Sequence, residues 1–265
     1  MHPEAFFSNY QQSPNELDAI VNKHLAFRQD NARPHLSAHE SQYYCRRLCR
    51  DTTVIVETVA RHITRGLTEH EIAAEMTYLC YEMSIAPIAL YVTADSYEDD
   101  LYYPRNYPVS HYVSLLLIGH RDGWYVPVTR TVALDTLPSE LERRYDAVAW
   151  VSEFYLHQTR VGQPVPRLTN MPQIFPEDWN HPPSCHIYLR SFTADRQAER
   201  VINENQPVEP GQIVTCLVGL GSIRAANTFI VRPEGSELLT RTNGWPVRSL
   251  IVDSATYFLP DILRL

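Results

Sequence analysis

From about His39 to Thr64 the apolar side chains Leu48, Ile55, Val59 and Ile63 recur at intervals of seven and four, which places them on one face and predicts a long amphipathic helix ended by Gly66. Thr68 followed by Glu71 has the spacing of a capping box, in which each side chain satisfies a backbone amide that the first turn leaves orphaned. Ile72, Met76, Leu79, Cys80 and Met83 then form the buried stripe of a second helix running to about Glu82. Pro87 closes that pair, and the β-branched and aromatic run from Ile88 to Thr93 reads as a strand. An acidic, tyrosine-rich loop follows from Asp95 to Tyr107. Two strands, His111 to Ile118 and Trp124 to Leu134, flank His120-Arg121-Asp122-Gly123, whose Asp-Gly pair suits a tight hairpin. A third helix, about Ser139 to Arg160, carries Leu141, Tyr145, Val148, Val151 and Tyr155 on one face and stops at Gly162. The remainder reads as short strands at Cys185 to Ser191, Ile213 to Val218, Thr228 to Arg232 and Ser236 to Thr240, with Pro-Glu-Gly at 233–235 as the last turn.

Helices flanking an antiparallel sheet make an α+β arrangement. At 265 residues the chain is long enough to bury a sizeable core, and residues 38–265 read as a single domain. The first 37 residues hold a short helix at Asn15 to Gln29 and a proline-containing link at Asn31 to Ser37, an arm that packs on the body or on a partner. A formal charge of -8 supplies no basic patch to repay binding to phosphates, so nucleic acid is not an expected partner, nor is an anionic membrane surface. Without a long apolar run or a signal-like N-terminus, a cytoplasmic location is expected. The five cysteines are an odd number, and Cys45, Cys49 and Cys80 fall in helices, so free thiols are expected rather than a disulfide framework. Of the 23 basic residues only Lys23 is a lysine, which argues against Schiff-base chemistry and a pyridoxal cofactor.

Four stretches, in order, carry a resemblance: ITRGLTEHEIAAEM (63–76), Ser110-His111-Tyr112, DGWYVPVTRTV (122–132), and VEPGQIVT through RAANTFIVRPEGSELLT (208–240). Together they resemble the pita-bread family of creatinase, aminopeptidase P and methionine aminopeptidase, over roughly residues 40–250. The resemblance implies a curved antiparallel sheet flanked by helices, and a homodimer. Active members bind two metal ions through two Asp, one His and two Glu. By position these fall at Leu116 or Leu117, Pro127, about Ser184, about Leu217, and Ala226. Leucine, proline and alanine offer no donor atom and one serine is not enough, so no metal and no other cofactor is expected.

The resemblance implies two functions. One is a metal-independent, creatinase-like enzyme acting on a small amino- or amidino-acid-like substrate by C–N hydrolysis, elimination, isomerisation or cyclisation; the other is an inactive pseudo-peptidase that binds a peptide or protein. In the enzyme reading His111 matches a creatinase histidine that handles protons, although the acidic partners that creatinase supplies are not evident here, and its near-neutral pKa suits acid/base work. The segment 179–190 clusters Trp179, His181, His186, Tyr188 and Arg190, and strand alternation from Cys185 sets His186, Tyr188 and Arg190 on one face. His186 or His181 is then a second proton carrier, and Arg190 suits a bidentate clamp on a carboxylate. Arg224 flanks the lost glutamate position and can bring positive charge to an anionic substrate, while Tyr103 belongs to a tyrosine-rich rim. The plainer reading of each is a solvated histidine, a surface ion pair or a dimer surface.

Overall fold

The computed structural model describes residues 38–96, 103–165, 184–190, 206–220, 222–252 and 255–265. The proposed arm and its helix lie outside the described residues. Helix α1 spans Ala38–His62 and α2 spans Glu69–Glu82. The capping box forms as expected: the Thr68 amide donates to Glu71 Oε2 at 2.8 Å, and the Glu71 amide donates to Thr68 Oγ1 at 3.2 Å. Leu48, Ile55, Val59 and Ile63 on α1, with Ile72, Met76 and Cys80 on α2, are all buried.

Strands β1 (Ala86–Ala94), β2 (Tyr112–Arg121) and β3 (Trp124–Ala133) pair antiparallel, and β10 (Leu263–Arg264) adds a parallel edge. The β2–β3 turn is the two residues Asp122 and Gly123, with φ of 55° and 85°, the left-handed pair that matches the twist of the flanking strands. Helix α3 runs from Ser139 to Gln158, and its five predicted apolar positions are all buried. A second sheet has the order β4 (Ser184–Arg190), β5 (Ile213–Leu220), β6 (Ile223–Arg232), β7 (Gly235–Leu238). Strand β4 is described by its backbone alone. A further hairpin, β8 (Val247–Val252) with β9 (Ala255–Pro260), is absent from the sequence reading. Val-Arg-Ser-Leu-Ile-Val breaks strict alternation, so its strand character comes from docking beside α3, where Leu259 is buried.

Three apolar clusters organise these layers. The first packs α1 and α2 against the Leu115, Leu117, Val126 and Val128 face of β2 and β3. Contact there is close: a Cβ at Gly119 would lie 2.7 Å from Thr52 Oγ1 on α1, so only glycine lets the helix sit this near the strand. The second cluster packs α3 against β5 and β6. The third covers the opposite face of β2 and β3 and is where the candidate site falls.

Candidate functional site

Alternation along β2 and β3 decides which residues share that third face. The register pairs Leu116 with Thr129, Ile118 with Pro127 and His120 with Tyr125, so these residues lie on one side and Leu115 and Leu117 on the other. Leu117 sits in the helix-side core, whereas Leu116 belongs to the third cluster. Of the two candidates for the first metal-ligand position, Leu116 is therefore the one that shares a face with Pro127. In the second sheet Leu217 pairs with Ala226, and Gly219 with Arg224. The sheets meet where the Ala226 amide donates to Thr129 Oγ1 at 2.8 Å. Leu116, Leu217 and Ala226 pack into one cluster with Tyr91, Ile118 and Tyr125 and are 2%, 7% and 2% exposed.

These side chains, with Pro127, carry no atom able to ligate a metal, so the residues present at these places do not fit a two-ion carboxylate cage. Among the described residues no group of three or more His, Cys, Asp or Glu could hold a metal ion.

The β4 register sets His186 beside Leu217, in the Leu217–Ala226 row, and Ser184 beside Gly219. Tyr188 pairs with Thr215 and Arg190 with Ile213 further along the strand. Trp179 and His181 lie outside the described residues. His120, which sequence reasoning passed over, packs on Tyr125 with ring centroids 4.4 Å apart and is buried on the Leu116 side of β2. Its even spacing from Leu116 was the signal that could have found it.

Two carboxylates fix the rim. Asp95, at the end of β1, accepts from the amides of Ser110, His111 and Tyr112 at 2.7, 2.9 and 2.8 Å. Buried Glu69 accepts from the amides of Ala94 and Arg105 at 2.9 and 2.8 Å, and from the Arg105 guanidinium. Thus held, the loop stacks Tyr103 on Tyr91 of the apolar cluster, at 6.0 Å between centroids. His111 faces solvent. Its side chain is 58% exposed, and Nδ1 lies 3.7 Å from Asp135 Oδ2, an oxygen that also accepts from Arg65 at 3.2 Å. The Thr136 amide, then Arg65, hold Asp135 below the usual carboxylate range.

Beside Ala226, a small cleft of about 20 Å³ opens between β3, β6, α3 and the Pro260–Asp261 turn. Arg224, Asn227, Thr131 and Ser152 line it, all at least nine-tenths buried. Arg224 Nη1 donates to the Ser222 carbonyl at 3.4 Å. Neither the Thr131 hydroxyl nor the Ser152 hydroxyl has a hydrogen-bond partner.

Two mainly antiparallel sheets with two helices packed on the first and one on the second, and a site where the sheets join, define an α+β pita-bread protein. The metallopeptidase family M24 model matches residues 44–234, and the chain belongs to that family. Its fold is similar to that of prolidase from Pyrococcus horikoshii, with a TM-score of 0.57 at 17% identity over 75% of this chain and 61% of that one. It is similar to Xaa-Pro dipeptidase from Bacillus anthracis at TM-score 0.59 and 16% identity, covering 83% of this chain and 61% of the dipeptidase. Methionine aminopeptidase from Rickettsia prowazekii gives 0.59 at 11% identity, over 76% of this chain and 98% of that one. The chain thus spans about six-tenths of the prolidase and the dipeptidase. No curated protein sequence matches it. No helix among the described residues is long and apolar enough to cross a membrane.

Proposed function

We propose that this protein is a metal-independent enzyme of the M24 family that acts on a small amino- or amidino-acid-like substrate. The observation that carries the reading is the contrast between two adjoining regions. The ligand positions have become an apolar cluster, yet the neighbouring cleft keeps Arg224, Asn227 and two partnerless buried hydroxyls. Each such hydroxyl costs about 1–3 kcal/mol, and what sets this pair apart is that both line one polar cleft together with an arginine. Arg224 supplies the positive charge that would orient a carboxylate, and the Tyr103–Tyr91 stack forms an amphipathic wall.

The register of His186 beside Leu217 favours it as the proton carrier, with Tyr188 and Arg190 further along its strand. His111, exposed and beside Asp135, serves at the rim, where Trp179 and His181 are further candidates for binding. The neighbours named as dipeptidase and aminopeptidase support cleavage of a C–N bond as the reaction. The substrate enters from solution, and the protein works as a homodimer, as the family resemblance suggests.

Purified protein, stripped with chelator and verified by elemental analysis, should turn over a member of a panel of amidino acids, amino-acid amides and dipeptides, and His186→Ala should abolish that turnover. Activity restored only by added manganese, cobalt or zinc would sink the proposal. One observation favours the second reading, a pseudo-peptidase that binds peptides: Leu116 and Leu217 stand in one buried apolar cluster with no acid or base among its members. Peptide binding with no turnover of any panel member would select it.

A further inference from the structure

We infer that the cleft beside Ala226 is an anion subsite that seats the carboxylate of the ligand, with Ser152 on α3 and Thr131 on β3 as its hydrogen-bond donors and Arg224 as its charge. The assignment rests on the proposed reading in that the ligand bears a carboxylate. Ser152 and Thr131 come from elements with no sequence relation, yet both line one cleft, both are 1% exposed, and both hydroxyls lack a partner. A buried hydroxyl without a partner forfeits its hydration, so two of them at one opening mark a place where something else supplies the missing bonds. Neighbouring polar groups in the cleft are already committed. Thr129 Oγ1 accepts from the Ala226 amide, Arg130 is bound to Glu57, and the Tyr145 hydroxyl donates to the Pro260 carbonyl.

Charge selects the class of occupant. Arg224 lines the cleft and Asn227 adds an amide; the Asp261 carboxylate, also in the lining, lies 3.7 Å from the Arg248 guanidinium, which it shares with Asp146 at 2.7 Å. Size selects further: about 20 Å³ admits a water or the two-oxygen head of a carboxylate and excludes a whole dipeptide, so the rest of a ligand must lie outside. The hydroxyls donate and the guanidinium neutralises, a combination that a neutral amide uses less well.

Calorimetric titration of the full chain with sodium acetate, and with acetamide as the neutral control, tests this. Acetate should bind saturably and acetamide much more weakly. Ser152→Ala combined with Thr131→Val should weaken acetate by about tenfold or more, as expected for lost hydrogen bonds to a charged group. The double variant should keep or raise the thermal midpoint, because it removes partnerless hydroxyls, and that readout separates lost binding from lost folding. Equal acetate affinity in the double variant, no acetate binding to the wild type, or equal binding of acetamide would each overturn the subsite. Turnover by metal-free protein that does not bind acetate would sink the subsite and spare the wider proposal; acetate binding by a protein that needs metal would do the reverse.

Discussion

Glu153 on α3 is 1% exposed, and neither carboxylate oxygen has a hydrogen-bond partner. Burial pushes its pKa up to about 7, with the Arg248 guanidinium pulling the other way. An acid whose folded pKa exceeds its unfolded value of about 4.3 binds its proton more tightly when folded. Stability from this group is therefore intact below about pH 4, falls as pH rises towards 7, and stays low above. The shift corresponds to roughly 4 kcal/mol as an upper figure. Glu153→Gln keeps the shape and removes the charge, so the variant should be more stable than wild type at pH 8, with the difference vanishing near pH 4. Urea denaturation of both proteins at several pH values checks this. A pH-independent difference would rule the explanation out. At this scale the sequence was a poor guide, since nothing in Trp-Val-Ser-Glu-Phe distinguishes a buried glutamate from a solvated one.

Between elements, a buried ion pair joins β3 to α1 beside their apolar contact. Arg130 Nε and Nη2 donate to Glu57 Oε1 at 2.9 and 2.6 Å, and Nη2 also donates to the Thr240 carbonyl at 3.0 Å. The guanidinium lies over the Trp245 ring, 5.4 Å from its centroid. Burial lowers the Arg130 pKa, and Glu57 opposes that shift. Removing one partner strands the other's charge away from water, so Glu57→Gln should destabilise the protein by about 3–5 kcal/mol. Glu57→Leu paired with Arg130→Met should recover most of that loss. A loss below 1 kcal/mol for the single variant, in chemical denaturation, would show the pair to be dispensable. The helices, the cap of α2 and the Asp-Gly hairpin were legible in the sequence because their causes are local: periodicity, one threonine with its glutamate, one turn. The β8–β9 hairpin was not, because its strand character depends on what it packs against.

Across the whole molecule, Leu116 from one sheet meets Leu217 and Ala226 from the other, about a hundred residues away in sequence. Leu217→Ala should destabilise by about 2–5 kcal/mol, the usual loss for a buried leucine, whereas a leucine on an open pocket wall would lose far less. Thermal and urea unfolding decide between these outcomes, and a loss under 1 kcal/mol would mean that the cluster is an open cavity wall. By itself the sequence determined the family, the α+β class and most of the elements, since residue types and short spacings are properties of the chain. Only the tertiary structure decided that Leu116 rather than Leu117 faces Pro127, that His111 stands at an exposed rim, and that Ser152 and Thr131 open on one cleft with Arg224. A strand's two faces differ by a single residue of register, and meetings between distant segments are set by packing, which no local pattern encodes.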